Sequence, residues 1–257
     1  MVDDYDDSVI FVPAHPNNIR PGDNHPKVLV LHTPEEAADA IEVTPFYFSR
    51  NLLLADPPRR ASTHYYASGG VATGGDGDLY QMVRESEGAI ANGVVGKPYP
   101  EGTNGAISLN LQSLSIEIEG YAANIKQSMP VGSKQWVTVV RWVESRSRKY
   151  NIPLDRAHVI GHYEVASNRT DPGTLDIDLI VQHAQAIREP EMYVTYTDIE
   201  GFWLVQLTKG GTPVLRRQYP HQGTQNDLIA QYGAPLGVGE GPPAFSKGQF
   251  ATIPVLA

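Results

Sequence analysis

The chain of 257 residues contains no cysteine. It therefore has no disulfide framework, and no metal site in it can be built from thiolates. Basic residues are also scarce, with 20 lysines and arginines against 29 acidic residues and a formal net charge of −9. Because nucleic-acid binding depends on a basic surface that neutralises phosphates, this balance argues against a nucleic-acid partner. Any metal in this protein must be held by nitrogen and oxygen.

Long apolar runs are absent as well. No stretch approaches the ~20 apolar residues that a membrane helix needs, so we expect no membrane partner. The first residues, MVDDYDDSVIFVPAHP, have neither the basic start nor the apolar core of a secretory signal. We therefore expect synthesis in the cytoplasm, and release by another route if the target lies outside it.

Strand patterns recur through the first two thirds of the chain. Four segments predict strands: 27–32, 61–67, 79–83 and 114–119. The first, KVLVLH, is almost wholly apolar, which is typical of a strand buried on both faces. The last, LSIEIE, alternates strictly, so Ile116 and Ile118 share the core face while Glu117 lies on the other.

Helix signals lie between these strands. Four helices are predicted: one starting at Thr33, and others over 46–54, 134–150 and 175–187. Thr33 precedes a proline at the first helical position, and Glu36 is placed to complete a capping box. Ser133 and Thr174 are the expected caps of the last two helices. The interleaved pattern predicts an α/β (mixed α+β) domain with a central, mostly buried β-sheet flanked by helices.

Composition divides the chain into three parts. Residues 1–26 are rich in Asp, Pro and Asn and predict an extended N-terminal arm, and residues 27–190 form the main domain. From 191 to 257 short β-rich runs predict at least two hairpin strands, followed beyond Ala234 by a Gly- and Pro-rich tail. A module this small is close to the lower limit for independent folding. We expect it to pack against the main domain or against another copy of the chain. In the second case the protein would be a homo-oligomer.

The most informative segment is GHYEVASNRTDPG at 161–173, which places His162 nine positions before Asp171. Far upstream, His32 closes the first predicted strand. One imidazole at a strand end, met by His162 and Asp171, supplies three protein ligands to a zinc ion. The fourth position stays open to water, which is the arrangement of a catalytic zinc site.

Other polar residues have simpler explanations. His32 taken alone could be a core histidine. His158 lies four positions before His162, but the intervening residues favour a strand or turn over a helical metal pair, so we interpret His158 as structural. Asp76 and Asp78 lie in GGDGD, which lacks the spacing of an EF-hand and fits a tight turn better than a calcium loop.

The ordered motifs between residues 27 and 187 resemble those of the type-2, zinc-dependent N-acetylmuramoyl-L-alanine amidases. That family shares its fold with the peptidoglycan-recognition proteins and includes many phage endolysins. Six motifs occur in the family's order: KVLVLHT, STHYYAS, GGDGDLYQMV, LSIEIEGY, VIGHYEV and RTDPG. One of these alone would be weak evidence, but six in order make chance similarity improbable.

The resemblance implies a role for each candidate residue. His32, His162 and Asp171 correspond to the family's zinc ligands, and Glu117 to the acidic residue that activates water. Arg169 occupies the position of a basic residue, commonly lysine, that stabilises the oxyanion. The expected cofactor is therefore Zn²⁺, and the expected substrate is peptidoglycan or a muropeptide, cut between N-acetylmuramic acid and L-alanine.

The chemistry of these residue types agrees with those roles. Zinc lowers the pKa of its bound water from ~15.7 to about 7 and polarises a carbonyl group. Amide hydrolysis still needs a base, for which Glu117 is favoured, with Glu119 on the same strand face as its rival. Arg169 stays protonated, so it suits a stabiliser of negative charge better than a proton donor.

The substrate groove departs from the family pattern. Relatives often show AWHAG where this chain has AIANG, so Ala91 and Asn92 stand in a region that normally carries tryptophan and histidine. Thr63 replaces a tyrosine found in some lytic members. We predict that Asn92 and His64 contribute to substrate binding, His64 by lining the groove or supporting the zinc ligands, with a purely structural role as its alternative.

Three functions remain open at this point. A phage-type endolysin is favoured, because such an enzyme benefits from a second contact with the cell wall. The second module would provide it either by binding the wall itself or by joining two copies of the chain. A cytoplasmic amidase that recycles soluble muropeptides is the alternative within the enzyme class. A non-catalytic peptidoglycan-binding protein of the same fold is disfavoured, because such relatives typically lose a zinc ligand and this chain keeps all three.

Overall fold

The computed structural model describes residues 9–35, 44–70, 75–93, 96–188 and three later strands within 192–219. Two compact units are distinguished along the chain, Met1–Val181 and Gln182–Ala257. Within the described residues, no helix has both the length and the apolar character needed to cross a bilayer.

Eight strands are described in the first unit. They are β1 (Ile10–Phe11), β2 (Ile19–Asp23), β3 (Val28–His32), β4 (Tyr65–Ala67), β5 (Leu79–Gln81), β6 (Glu87–Ala89), β7 (Ser113–Ile118) and β8 (Val159–Gly161). Six of them form one mixed sheet in the order β1-β5-β4-β7-β3-β8, and β2 pairs separately with β6. Only β4 and β5 run antiparallel within the six-stranded sheet. Residues 10–23, predicted as an extended arm, thus supply strands to both sheets.

Five α-helices are described beside these sheets. They are α1 (Thr44–Phe48), α2 (Ile125–Ser128), α3 (Lys134–Tyr150), α4 (His162–Val165) and α5 (Ile177–Arg188). Three short 3-10 helices cover Pro16–Asn18, Leu52–Leu54 and Leu109–Leu111. The prediction for α3 is confirmed: the Ser133 hydroxyl accepts a hydrogen bond from the Trp136 N–H at 3.2 Å, and Val139 and Val143 are fully buried. The mixed α+β fold class is confirmed as well.

The two central strands, β3 and β7, are the core of the sheet. Every residue of β3 is buried, as its continuous apolar run predicts. In β7 the apolar face is buried as expected, and the polar face is covered too, because Ser115 accepts a hydrogen bond from the Thr63 hydroxyl at 3.0 Å. Covering both faces of parallel strands leaves their carboxyl ends as the accessible edge.

Helix α3 is attached to the sheet side through a buried ion cluster around Glu85. Glu85 Oε1 accepts hydrogen bonds from Arg146 and from the Tyr65 hydroxyl, both at 2.7 Å. The other oxygen accepts from Lys149 and, at 2.9 Å, from the Tyr150 hydroxyl. Burial alone raises the pKa of Glu85, but the charge of Arg146 and these donors lower it overall. The carboxylate therefore stays ionised inside the protein.

The predicted helix start at Thr33 is wrong for the described residues. Thr33 to Glu35 form a loop, in which Glu35 has φ +60° in the left-handed region. The Glu35 carboxylate accepts hydrogen bonds from the Ala122 N–H at 2.9 Å and from the Thr33 hydroxyl at 2.8 Å. A contact with a distant segment thus replaces the local cap. Glu36 lies outside the described residues.

Two other predicted elements are shorter than expected. The helix predicted over 46–54 ends at Phe48, and Asn51 then caps a 3-10 turn by accepting the Leu53 N–H at 3.2 Å. The strand predicted over 61–67 begins only at Tyr65. Before it, the Ser62 N–H donates to the carbonyl of residue 90 at 3.2 Å, while the N–H of residue 90 donates to the Ser62 hydroxyl at 3.0 Å, so a side chain supplies one of the two hydrogen bonds there.

Helix α5 begins two residues later than predicted. Asp176, and not Thr174, serves as its cap, since Asp176 Oδ1 accepts the Leu179 N–H at 3.1 Å. The Thr174 hydroxyl donates to the Ala122 carbonyl at 3.4 Å. The threonine therefore ties its loop to residue 122 and has no part in the helix.

The second unit contains a three-stranded antiparallel sheet. Its strands are β9 (Met192–Asp198), β10 (Gly201–Leu207) and β11 (Pro213–Tyr219), in the order β11-β10-β9. The prediction of at least two hairpin strands is confirmed. The Gly- and Pro-rich tail beyond Ala234 lies outside the described residues, and the division at residue 190 stays a prediction.

Candidate functional site

The carboxyl ends of three adjacent parallel strands assemble the site. His32 is the last residue of β3 and lies opposite Glu117 of β7. On the other side of β3, Leu31 lies opposite Gly161 of β8, so His162 follows directly beside His32. Open α/β sheets bind ligands at this edge, because the loops that leave parallel strands converge there.

The loop after α4 returns Asp171 to the same place. The Tyr163 N–H donates to the Asp171 carbonyl at 2.9 Å, which ties the loop to the first turn of α4. Gly173 has φ +57°, and a Cβ at this position would lie 2.1 Å from the Ala122 carbonyl oxygen. Only glycine fits this close approach, which explains the glycine of the DPG motif.

Three side chains converge at this edge. The Nδ1 atoms of His32 and His162 lie 3.3 Å and 3.1 Å from Oδ2 of Asp171. The possible ligand atoms all lie within 4.8 Å of one another, and the three residues are buried. Across the part of the chain that the structure describes, this is the only such group of three. The structure thus brings together the three residues that the sequence predicts to be metal ligands.

The charge states of these groups suit a divalent cation. Burial lowers the pKa of His32 to about 4, so its imidazole is neutral at neutral pH. For Asp171, burial raises the pKa, but hydrogen bonds from His162 and His32 outweigh it and hold the pKa well below its ordinary value. A neutral imidazole and an ionised carboxylate are the forms that coordinate zinc.

The group opens into a cavity of about 530 Å³. Its lining includes all five residues predicted for metal binding and catalysis: His32, Glu117, His162, Arg169 and Asp171. Arg169 is exposed, and Glu117 is half-buried. A substrate in this cavity would therefore meet the possible metal ligands, a carboxylate and a cation together.

Glu119, the rival of Glu117, is held elsewhere. Its carboxylate accepts the Gly69 N–H at 2.6 Å and the Ser68 hydroxyl at 3.1 Å, and the residue is buried. It is not among the residues that line the cavity. The geometry favours Glu117 as the proton-transfer residue.

The sequence predicts substrate contact for His64 and Asn92, but the structure places neither at the cavity wall. His64 is fully buried, with its ring nitrogens 3.1 Å from the Ser115 hydroxyl and 3.0 Å from the Glu87 carbonyl. Burial lowers its pKa to about 4. This surrounding supports the structural alternative for His64.

Asn92 lies directly behind His162. Its carbonyl oxygen is 3.3 Å from Nε2 of His162, and its side-chain amide donates to the Ser113 hydroxyl at 2.9 Å. Asn92 therefore contacts a possible ligand and not the open space. The structural interpretation of His158 agrees with its contact with Asp155, whose Oδ1 is 2.7 Å from His158 Nδ1.

The lining also includes Glu35, Tyr47, Arg59 and Arg60, for which the sequence predicted no functional role. The Arg59 guanidinium lies over the Tyr47 ring, 4.9 Å from its centroid. Arg60 donates to the carbonyl of Ile19 at 2.6 Å. The sequence feature that could have indicated both arginines is the Arg-Arg pair after Pro57 and Pro58, one residue before the STHYYAS motif.

Comparisons with known proteins identify the family of this chain. A family model described as N-acetylmuramoyl-L-alanine amidase matches residues 22–174. A search of curated protein sequences gave no significant match.

Among solved structures, a selenomethionine derivative of AmpD is similar, with 21% identity, a TM-score of 0.48, and coverage of 72% of this chain and 98% of that chain. The amidase LysC from Clostridium intestinale has 16% identity, a TM-score of 0.46, and coverage of 69% and 97%. AmiD from E. coli, in complex with an anhydro-N-acetylmuramic acid peptide, has 18% identity, a TM-score of 0.43, and coverage of 88% and 77%.

Proposed function

Since this chain belongs to the N-acetylmuramoyl-L-alanine amidase family and is a hydrolase, we propose that it uses zinc to cut the amide bond between N-acetylmuramic acid and L-alanine in peptidoglycan. The observation that carries the proposal is the buried group of His32, His162 and Asp171, which opens into a cavity shared with Glu117 and Arg169. A binding protein would need no such combination of possible metal ligands, base and cation.

The metal-binding part of the proposal follows from the donor set. Two imidazoles and one carboxylate supply three ligands and leave a tetrahedral zinc ion one open position. Bound there, zinc would supply a Lewis acid for the amide carbonyl and would make water a stronger acid. Calcium and magnesium fit less well, because both prefer oxygen ligands and higher coordination numbers.

Glu117 carries the proton in this scheme. Its carboxylate takes a proton from the attacking water as the water oxygen bonds to the carbonyl carbon. The same group then delivers the proton to the alanine nitrogen as the C–N bond breaks. The products are the lactyl carboxylate of the sugar and a peptide with a free N-terminal alanine.

Arg169 supports the developing negative charge. The amide oxygen becomes an oxyanion as the water adds, and a fixed cation in the cavity stabilises that state more than the neutral amide. A guanidinium group stays charged throughout the ordinary pH range. Arg169 can therefore stabilise the oxyanion but does not compete with Glu117 for the proton.

Action on the bacterial cell wall, as in a phage-type endolysin, is the favoured setting. The chain continues beyond the family match at residue 174 into the three-stranded sheet of β9, β10 and β11. An added module suits an enzyme that works on an insoluble polymer, because a second contact raises its effective concentration there. We propose that residues 191–257 either bind the wall or join two copies of the chain.

Comparing two proteins on two substrates tests this setting. The full chain and a chain ending at Pro190 are assayed on intact sacculi and on soluble muropeptides, with circular dichroism and zinc content as controls. We expect the full chain to cut both substrates, and the shorter chain to keep muropeptide hydrolysis but lose rate on sacculi. Size-exclusion chromatography of both proteins tests the oligomer version of the module's role.

The other possible outcomes would each contradict a different part of this proposal. Muropeptide hydrolysis without any attack on sacculi by the full chain would indicate a recycling amidase. Binding of sacculi without hydrolysis of either substrate would indicate a peptidoglycan-binding protein. A shorter chain that is folded and zinc-loaded but inactive on muropeptides would show that the division at residue 190 is wrong and that the last residues complete the site.

A further inference from the structure

The second ring nitrogen of His162 has a defined partner. Nε2 lies 3.3 Å from the Asn92 carbonyl oxygen, while Nδ1 lies 3.1 Å from Asp171 Oδ2. Carbonyl and carboxylate oxygens only accept hydrogen bonds, so the Asn92 contact needs a proton on Nε2, whereas the Asp171 contact in the metal-free site needs one on Nδ1. A cation bound among His32, His162 and Asp171 would take the Nδ1 lone pair, and the ring proton would then lie on Nε2, facing the Asn92 carbonyl.

The direction of the Asn92 carbonyl depends on its backbone, which lies in a loop without helix or strand. Two consecutive N–H groups of that loop, those of Ala91 and Asn92, donate to Oδ1 of Asn110 at 3.2 Å and 2.9 Å. Asn110 is itself buried in the 3-10 turn Leu109–Leu111, directly before β7. One side-chain oxygen thus holds two successive peptide groups of the loop.

A second and weaker tether acts at the same point. The Asn92 side-chain amide donates to the Ser113 hydroxyl at 2.9 Å, and that hydroxyl donates to the Leu109 carbonyl at 2.8 Å. Both tethers lead back to the start of the strand that carries Glu117. The loop behind His162 is therefore fixed relative to the strand of the proposed base.

We propose that Asn110 is a positioning residue of the metal site: by holding residues 91 and 92, it directs the Asn92 carbonyl at Nε2 of His162 and so favours the Nε2–H tautomer, which leaves Nδ1 free for zinc, over the Nδ1–H tautomer that Asp171 favours. The inference rests on the proposed function, because it concerns the same zinc ligands. Partners of this kind orient histidine ligands, and their loss typically lowers metal affinity by about 10–100-fold.

The test compares Asn110→Ala, Asn110→Asp and Gln112→Ala with the unaltered chain. Aspartate keeps an acceptor oxygen at position 110, whereas alanine removes it. Gln112 is the matched control, because it is also a buried amide that holds a loop, accepting the Asn104 N–H at 2.7 Å, but it does not contact residues 91 and 92. Zinc affinity is measured by competition with a chelator, and the His162 tautomer by nitrogen NMR of the metal-free protein.

We expect Asn110→Ala to bind zinc about 10–100-fold more weakly and to show a smaller fraction of the Nε2–H tautomer of His162 than the unaltered chain. Asn110→Asp should restore both properties, and Gln112→Ala should lower thermal stability without changing either. If Asn110→Ala does not fold, Ser113→Ala is used instead, because it removes the second tether. It should change zinc affinity and the His162 tautomer in the same direction as expected for Asn110→Ala, but by a smaller amount.

The readouts separate this inference from the function on which it rests. Unchanged zinc affinity and an unchanged fraction of the Nε2–H tautomer in Asn110→Ala would overturn the role of Asn110 while leaving the zinc enzyme intact. If the unaltered chain bound no zinc, the proposed function would fail, and the tautomer of the metal-free protein would still decide whether Asn110 positions His162.

Discussion

Replacing His162 with alanine should reduce bound zinc to well below one ion per chain and abolish hydrolysis. The remaining pair, His32 and Asp171, supplies only two ligands, and stable zinc sites in proteins use at least three. The loss should come from the metal and not from unfolding, because the site lies at the edge of a sheet whose core strands are unaffected. Elemental analysis after dialysis, together with a thermal melt, measures both properties.

His158→Ala is the matched control for this experiment. It removes a histidine only four residues away, whose ring contacts Asp155 and does not line the cavity. This variant should keep a full complement of zinc and its activity. Full zinc occupancy in His162→Ala, or equal loss of zinc in both variants, would contradict the assignment of His162 as a ligand.

Replacing Glu117 with glutamine should lower turnover by the ~10²–10⁴-fold that is typical of a lost general base. Glutamine preserves the shape of the side chain but cannot accept a proton at neutral pH, so the water would lose its base. Zinc content should not change, because Glu117 is not among the three grouped ligands. Steady-state rates on a soluble muropeptide, measured beside metal content, give the comparison.

Glu119→Gln provides the control, two residues further along the chain and just past the end of β7. Its side chain faces Ser68 and Gly69 and not the cavity, and glutamine retains an oxygen that can accept their hydrogen bonds. Turnover in this variant should stay close to that of the unaltered chain. Near-normal turnover in Glu117→Gln, or a larger loss of turnover in Glu119→Gln, would show that a different group acts as the general base.

Local patterns predicted the elements whose stability comes from their own sequence. The apolar run that ends at His32 and the strict alternation through Glu117 specify buried strands, because their side-chain periods match the pleat of a sheet. Helix α3 has a cap and an apolar face at helical spacing. The metal group was predictable because strand ends and the DPG loop place those residues in a recognisable order.

Contacts between distant segments account for what the sequence did not predict. Glu35 leaves a helix-forming pattern because the Ala122 N–H, 87 residues away, binds its carboxylate. The burial of His64 depends on Ser115, 51 residues further along the chain. The ion cluster of Glu85 takes three of its four partners, Arg146, Lys149 and Tyr150, from α3. No window of local sequence contains these pairs, so only the folded chain shows them.

Restoring zinc stepwise to the chelated full chain tests the central claim most directly. The substrate is a defined muramoyl peptide, and the measured quantity is the amount of peptide released with a free N-terminal alanine, beside the zinc bound per chain. We predict no release without zinc and a rise in proportion to bound metal that ends at one ion per chain. Release at the same rate from zinc-free protein, cleavage at another bond, or no release from fully loaded protein would contradict a zinc-dependent N-acetylmuramoyl-L-alanine amidase.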